Sequence, residues 1–170
     1  MKKHIFIAAT SIFLFSTIAF SQEAVTGSKN PESLFTSPDP KLHANKQVVY
    51  FIIRDLLEAN RWDLAEKYLS KEYLQHNPNA ASGRDSVVNF FTKVLKVKPG
   101  AITEKIEQYK VVSVLAEGDL VTVAFARTVK DEKNPKNDYT TTWFDMWRIK
   151  DGKAVEHWDS ALKGESPNLK

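Results

Sequence analysis

A predicted β-hairpin near the carboxyl end of the chain constrains the fold more than any other stretch. Two runs rich in aromatic and β-branched residues, Tyr139 to Ile149 and Lys153 to Asp159, flank the tripeptide Lys150-Asp151-Gly152. Alternating side chains on both sides of an Asp-Gly pair are the strongest short-range signal for a hairpin. A carboxylate placed among such residues either faces water or lies in an apolar site where its pKa rises.

The length of the turn decides which polar groups meet across this hairpin. A two-residue turn at Asp151-Gly152 places Asp145 opposite Trp158, whereas a three-residue loop places Asp145 opposite His157. A slip of one residue moves every side chain to the other face of the sheet. We favour the three-residue loop because it gathers the ionisable groups on one face. That face then carries Trp143, Asp145, Trp147, Val155, His157 and Asp159.

The first 21 residues have the features of a signal peptide. Lys2 and Lys3 are basic, Ile5 to Phe20 is mostly apolar, and small residues precede Gln22. The apolar run spans about 16 residues, fewer than the roughly 20 that a membrane-spanning helix needs. We therefore expect an exported protein, periplasmic or secreted. After cleavage near Ser21-Gln22 it should have no stable membrane insertion.

The composition excludes several classes of function. The chain contains no cysteine, which rules out disulfides and thiolate chemistry. Without Lys2 and Lys3, 22 basic residues remain against 21 acidic ones. This balance gives no reason to expect a nucleic acid as a partner. The sequence also has no glycine-rich phosphate loop and no serine in a nucleophile elbow.

One α+β domain is predicted for residues 39–163, between a flexible lead-in at 22–38 and a polar tail at 164–170. Asp39 followed by Pro40 is typical of a helix start, and an apolar stripe predicts that this helix continues to Ala59. Two more helices are predicted at 62–69 and 84–96, and strands at 72–77, 102–115, 120–129 and in the hairpin. Helices that precede antiparallel strands indicate a helical layer on one face of a curved sheet. The hollow between the two layers is the natural pocket.

Two blocks of the sequence carry a resemblance to a known family. The first reads Tyr73-Leu74-Gln75-His76-Asn77-Pro78, with Gly83 shortly after, and the second runs from Asp145 through the hairpin turn to His157-Trp158-Asp159. Across roughly Lys41 to Leu162 the chain resembles the SnoaL-like polyketide cyclases of the nuclear transport factor two-like superfamily. The resemblance implies a cone-shaped α+β barrel. Its strongly curved, mainly antiparallel sheet would have three N-terminal helices covering the concave face.

The resemblance also implies an activity. Cyclases of this family catalyse an intramolecular aldol condensation without cofactor or metal, and an acidic residue late in the sheet removes a proton next to a carbonyl. By the motif match that residue is Asp159. The family's polar partner one strand earlier, often a histidine, falls near Asp145. The chain is thus expected to be a lyase or isomerase that acts on a small apolar molecule with a carbonyl group.

The candidate residues divide into two roles. Proton abstraction next to a carbonyl needs a base and a second group that stabilises the enolate by donating a hydrogen bond or a proton. The candidate catalytic residues are Asp159, Asp145, His157 and His76. The candidate ligand-binding residues are Asn77, Tyr73, Trp143 and Trp147. Simpler structural roles stay open, since Asp145 could pair with Arg148 or Arg127.

The sequence also leaves two alternative functions open, a non-catalytic binding module and a metal site, and it predicts a homodimer. The same fold could serve as a binding or dimerisation module that holds an apolar ligand without chemistry. His76, His157, Asp145 and Asp159 could also form a two-histidine, two-carboxylate metal set, although we expect neither metal nor cofactor. Family resemblance further predicts a homodimer through the outer sheet face, which would carry Phe144, Met146 and Trp158 and is apolar enough to need covering.

Overall fold

The computed structural model describes residues 22–165. They form a five-stranded curved sheet with helices packed against it. The predicted signal peptide, residues 1–21, lies outside the described residues, as do the last five residues of the predicted tail. Within the described part of the chain, no helix is long and apolar enough to cross a membrane.

Three helices form the layer that covers the sheet. Helix α1 spans Pro40–Phe51 and continues as a wider π-helical segment, Ile52–Glu58. Helix α2 begins as a 3-10 turn at Trp62–Leu64 and ends as an α-helix at Ala65–Tyr68. Helix α3 spans Arg84–Asn89 and also continues as a π-helical segment, Phe90–Val94.

The predicted start of the first helix is confirmed. The Asp39 carboxylate accepts a hydrogen bond from the backbone N–H of Leu42 at 2.9 Å, and Pro40 occupies the first helical position. This capping satisfies one of the N–H groups that an α-helix leaves free at its amino end.

The five strands are β1 (Leu69–Gln75), β2 (Val111–Glu117), β3 (Leu120–Val129), β4 (Tyr139–Lys150) and β5 (Lys153–Asp159). Their order across the sheet is β1-β5-β4-β3-β2. Only the β1–β5 pair is parallel, and the other neighbours are antiparallel. The predicted α+β class and the mainly antiparallel curved sheet are therefore confirmed.

The core lies between the helical layer and the concave face of the sheet. Its largest fully buried side chains include Ile53 and Leu56 from α1 and Phe125 from β3. The segment 22–38, for which the sequence predicts a flexible lead-in, contains a 3-10 turn at Pro31–Phe35. The Phe35 side chain of this turn is completely buried and packs edge-on against Tyr50.

The hairpin turn has two residues, so the favoured three-residue loop was wrong. Lys150 pairs with Lys153, and both Asp151 (φ 51°) and Gly152 (φ 73°) adopt left-handed backbone conformations. Positive φ at both central positions is the requirement of the tightest hairpin turns, which Asp-Gly satisfies at low cost.

A β-bulge then restores the expected faces of the hairpin. Ile149 pairs with Ala154 but Arg148 pairs with Glu156, so Val155 is one residue in excess. Beyond this point Asp145 lies opposite Asp159. That register differs from the favoured one by two residues, which keeps each of the predicted inner side chains except Val155 on its face. Val155 was wrongly placed there, because the bulge turns Ala154 into the buried core instead.

The strand predicted at 102–115 is shorter than expected, because β2 begins only at Val111. The buried Glu58 carboxylate accepts hydrogen bonds from the backbone N–H groups of residues 107, 108 and 109, at 2.8, 3.1 and 3.3 Å. Those N–H groups therefore take a side-chain partner where a strand would need a neighbouring strand.

Candidate active site

A cavity opens between the concave face of the sheet and the helices. Its volume is about 680 Å³ with the open mouth included. A space of this size suits a small molecule. Apolar walls come from residues such as Leu56, Trp62, Phe91, Tyr109, Trp143 and Trp147, and polar groups come from Tyr73, Gln75, Asn77, Asp145, His157 and Asp159.

The structure brings all the predicted site residues to this cavity except His76. The His76 ring lies on the opposite face of the sheet, where its Nε2 is 2.9 Å from Oε1 of Glu156. It stacks on Trp158 with the ring planes 7° apart, and its side chain is 47% exposed. His76 therefore belongs to the outer face, which corrects its prediction as a catalytic residue.

Gln75 is a site residue that the sequence interpretation missed. Alternation along the end of β1 turns residues 73, 75 and 77 to one face and residue 76 to the other. Since Tyr73 and Asn77 were both assigned to the pocket, the same alternation predicts that Gln75 lies between them. It is also the residue of β1 that pairs directly with His157 of β5.

Asp145 is the most buried carboxylate of the cavity, with 5% of its surface exposed. Its Oδ1 accepts a hydrogen bond from the Trp143 indole N–H at 3.0 Å and lies 3.3 Å from Nε2 of His157. The predicted structural pairings of Asp145 are not formed, because Arg148 binds Asp119 and Glu156, and Arg127 binds Glu165. Among residues 22–165, no lysine or arginine lines the cavity.

Asp159 lies directly across the β4–β5 ladder from Asp145 but has different partners. Its Oδ2 accepts a hydrogen bond from the Asn77 amide at 2.6 Å, and its Oδ1 accepts one from the backbone N–H of Ala161 at 3.0 Å. Asn77 is held in turn, because its Oδ1 accepts from the backbone N–H of Asn79 at 2.8 Å. Both bonds to Asp159 come from groups that only donate, which is the environment of an ionised carboxylate.

Two buried tyrosines add neutral hydroxyl groups to the cavity. Burial, followed by the nearby Asp145 and Asp159 charges, raises the pKa of Tyr73 well above its ordinary value of 10.0, although a hydrogen bond with Trp147 opposes the shift. Burial likewise raises the pKa of Tyr109, with smaller contributions from Asp145 and Glu58. Both phenols therefore stay protonated across the physiological pH range. Tyr109 was not predicted as a site residue, and it lies in the part of the predicted strand 102–115 that the structure shows as a loop before β2.

The alternative metal set is incomplete, since His76 lies on the opposite face of the sheet. Asp145, His157 and Asp159 each offer one donor atom, and these atoms lie within 4.8 Å of one another. Two of the three donors, His157 Nε2 and Asp145 Oδ1, face each other at hydrogen-bond distance. The arrangement is that of a proton-sharing pair beside a second carboxylate.

The π-helical segments of α1 and α3 both lie over the cavity. The first contributes Ile52, Leu56 and Leu57 to the walls, and the second contributes Phe90 and Phe91. Phe91 stacks on Trp62 of α2 with the ring centroids 3.9 Å apart. Short π-helical stretches are rare in helices and occur frequently at functional sites.

Comparison with known proteins connects this geometry to a family. Residues 52–157 match the family model of the SnoaL-like domain, which is more than half of the chain. A solved structure from Acidithiobacillus ferrooxidans, of a protein provisionally named a polyketide cyclase, is 12% identical with a TM-score of 0.51. That match covers 73% of this chain and 89% of the other.

A second solved structure, from Jannaschia sp. CCS1, belongs to a protein provisionally named a SnoaL-like polyketide cyclase. It is 16% identical with a TM-score of 0.47, over 74% of this chain and 91% of the other. At 12% identity the likeness to the first structure shows the fold alone. No curated protein matches the chain at a significant level.

Proposed function

The chain belongs to the SnoaL-like domain family, and we propose from this that it is an isomerase or cyclase of the aldol type. The substrate is a small apolar molecule with a carbonyl group. The enzyme removes a proton from the carbon next to that carbonyl, and the chain's own side chains supply the acid and the base without metal or cofactor.

The observation that carries the proposal is that the two facing aspartates have different hydrogen-bond partners. Asp159 accepts only from fixed donors, Asn77 and the N–H of Ala161, which favours the ionised form. Asp145 instead lies beside His157 Nε2, and a hydrogen bond between these two atoms requires a proton. One carboxylate is thus available as a base, and the other shares a proton that it can donate. Two ionisable groups held in different protonation states are the usual mark of an acid–base pair.

The reaction follows from these roles. The Asp159 carboxylate takes the proton from the carbon next to the carbonyl, and the electron pair moves onto the carbonyl oxygen. The proton of the Asp145–His157 pair stabilises that enolate oxygen. The enolate carbon then attacks a second carbonyl of the same molecule, and the new alkoxide takes up the proton that Asp159 removed. In an isomerisation that proton returns to a different carbon.

The walls of the cavity support this chemistry. Beside Trp143 and Trp147, Asp145 and His157 are only 5% and 7% exposed, so this pair is largely shielded from bulk water. Charge interactions are stronger in such a low-dielectric site than in water. Flat aromatic walls also suit a flat, conjugated substrate, in which the enolate is held in one orientation.

Exchange of a carbon-bound hydrogen tests the proposed function. The protein is incubated in D2O with a panel of small aromatic ketones, and deuterium incorporation next to the carbonyl is measured by NMR. We expect Asp159→Asn to slow the exchange by about two to four powers of ten. Asp151→Asn, the same substitution at the exposed hairpin turn, should exchange at the rate of the unaltered protein.

The other outcomes of this experiment are informative as well. If ketones bind to the cavity but neither protein exchanges hydrogen, the chain is the alternative, a binding module of the same fold. Exchange that persists at full rate in Asp159→Asn would remove Asp159 as the base.

We also propose that the protein is exported and forms a homodimer. The signal-peptide pattern of residues 1–21 supports export, and mass spectrometry of the extracytoplasmic fraction should find a chain that begins at Gln22. A shallow groove on the outer sheet face, lined by Phe144, Met146 and Trp158 among others, supports the dimer. The Phe144 side chain is 52% exposed there.

A further inference from the structure

We propose that Gln75 is a positioning residue that fixes the proton of His157 on Nδ1 and thereby makes the Asp145–His157 pair hold a second proton. Gln75 need not touch the substrate for this, because it acts through the imidazole. The inference rests on the proposed function for its catalytic meaning, but the proton positions follow from hydrogen bonds alone.

The orientation of the Gln75 amide is determined by the backbone. The N–H of Asn77 lies 3.0 Å from Oε1 of Gln75. A backbone N–H can only donate, so the atom that faces it must be the amide oxygen and not the NH2 group. A flipped amide would place two donors against each other.

The amide oxygen then determines the form of the imidazole. His157 Nδ1 lies 2.8 Å from the same Oε1. An oxygen that only accepts requires a proton on Nδ1. A neutral His157 in this form has a bare Nε2, which points towards Asp145.

The bare Nε2 changes the number of protons in the site. The distance of 3.3 Å between Nε2 and Asp145 Oδ1 is bridged only if one more proton lies between them, on the imidazole or on the carboxyl group. Without the amide oxygen, His157 could carry its single proton on Nε2 and donate it to an ionised Asp145. That pair would be an anion with one proton fewer, and only the weakly acidic N–H of a neutral imidazole would remain to stabilise an enolate.

Among residues 22–165, the hydrogen bonds of the His157 ring involve only Gln75 at Nδ1 and Asp145 at Nε2. Tyr73 stacks on one side of the imidazole at 6.4 Å between ring centroids, and Trp147 lies at 5.0 Å in a tilted arrangement. The charged group nearby besides Asp145 is Asp159, one oxygen of which lies within 4.8 Å of a ring nitrogen of His157, but its hydrogen bonds go to Asn77 and Ala161. Gln75 is therefore the contact that selects the Nδ1–H form.

The test is a nitrogen-15 NMR experiment on the imidazole rings of the full chain, without substrate. Long-range correlations distinguish a proton on Nδ1, on Nε2 or on both, and spectra of His4→Gln, His43→Gln and His76→Gln identify the signals of His157. We expect Nδ1 to be protonated in the unaltered protein. In Gln75→Leu the neutral ring should change to the Nε2–H form, whereas Gln75→Glu keeps an acceptor oxygen and should keep Nδ1–H.

Ser82→Ala is the matched control. The Ser82 hydroxyl accepts from the backbone N–H of Gln75 at 3.0 Å, so its removal disturbs the same strand end but leaves the amide side chain in place. This variant should keep the Nδ1–H form. A change of form in Ser82→Ala as well as in Gln75→Leu would reduce Gln75 to a structural role.

Two results would overturn the proposal. One is a bare Nδ1 in the unaltered protein, which needs no variant to fold. The other is an unchanged Nδ1–H signal in folded Gln75→Leu. Since no substrate is present, a protein that shows the expected forms but never exchanges a carbon-bound hydrogen refutes the proposed function and leaves the role of Gln75 intact. If exchange is found, Gln75→Leu should lower kcat at least about tenfold with little change in KM.

Discussion

The two faces of the sheet, where β5 lies between β1 and β4, carry the same kinds of residue in different surroundings. On the inner face, His157 meets Asp145 beside Trp147, with imidazole and carboxylate 3.3 Å apart. On the outer face, His76 meets Glu156 at 2.9 Å and stacks on Trp158. A histidine, a carboxylate and a tryptophan are thus combined twice, a few ångströms apart through one sheet.

The surroundings differ in burial and in counter-charge. The side chains of His157 and Asp145 are 9% and 7% exposed, against 47% and 18% for His76 and Glu156. The outer carboxylate also binds Arg148 at 2.9 Å. Hydrogen bonds from His76 and then from Arg148 lower the pKa of Glu156 below its ordinary value of 4.5. Because its charge is already neutralised, the outer pair is a surface ion network, while the inner pair has only a shared proton to balance it.

The largest expected difference between the faces is in rate. Asp145→Asn keeps the size of the side chain but cannot share a proton with His157, so hydrogen exchange of a ketone substrate should fall by about two to three powers of ten. Glu156→Gln makes the same change on the outer face and should stay within about twofold. Equal losses in both variants would show that the faces do not differ in function.

The second comparison is between the two tryptophans. Trp147 is 2% exposed, so Trp147→Ala leaves a cavity in the core and should lower the free energy of unfolding by about 3–5 kcal/mol. Trp158 is only partly buried within one chain, so Trp158→Ala should cost less than half as much at protein concentrations that favour the monomer. Urea denaturation curves measure both values there, and a similar cost for the two would contradict the difference in burial between the faces.

The covering of the outer face is the third point to test. If the outer groove joins two copies of the chain, Phe144→Asp should raise the dissociation constant of the dimer at least about tenfold, as seen by light scattering at decreasing concentration. Val94→Asp introduces the same charge at an apolar side chain of α3 that is 67% exposed and should leave the mass unchanged. A monomer in the unaltered protein would contradict the proposed dimer.

The smallest expected effect is the pH dependence of the outer pair. Since folding lowers the pKa of Glu156, its ionised form stabilises the folded state above the ordinary value of 4.5. This contribution is lost as the pH falls from there through the lowered pKa. The Glu156→Gln substitution should therefore cost less than about 1 kcal/mol at pH 6 and almost nothing well below pH 4. Unfolding curves at the two pH values test this, and a cost that grows on acidification would have the wrong sign.

Features of the fold that depend on local sequence signals could be predicted. The hairpin, the helix start at Asp39 and the α+β class depend on local signals, namely turn residues, caps and periodicity, and all three were predicted. The inner face was predicted apart from Val155, although the turn was wrong, because the error in register was two residues and side chains alternate with a period of two.

The misses arise where distant parts of the chain meet. Alternation places His76 on the other side of the sheet from Tyr73 and Asn77, but which of the two sides faces the helices depends on long-range packing that no local pattern reveals. The bulge at Val155 has no clear mark in the sequence. Glu58 replaces strand pairing for residues 107–109 across about 50 positions of sequence, a long-range contact that local propensity cannot detect.

The π-helical ends of α1 and α3 have a consequence for how this cavity could change over time. A turn closed by a bond such as Ala59 N–H to Arg54 C=O, 3.1 Å long, contains one residue more than an α-helical turn. A single inserted or deleted residue could therefore convert a π-helical turn into an α-helical turn, or the reverse, while the rest of each helix keeps its packing against the sheet. In related proteins, single-residue insertions or deletions could therefore change the helical walls of the cavity. The cavity could then accept different molecules while the residues of the sheet, including the two aspartates, stay unchanged.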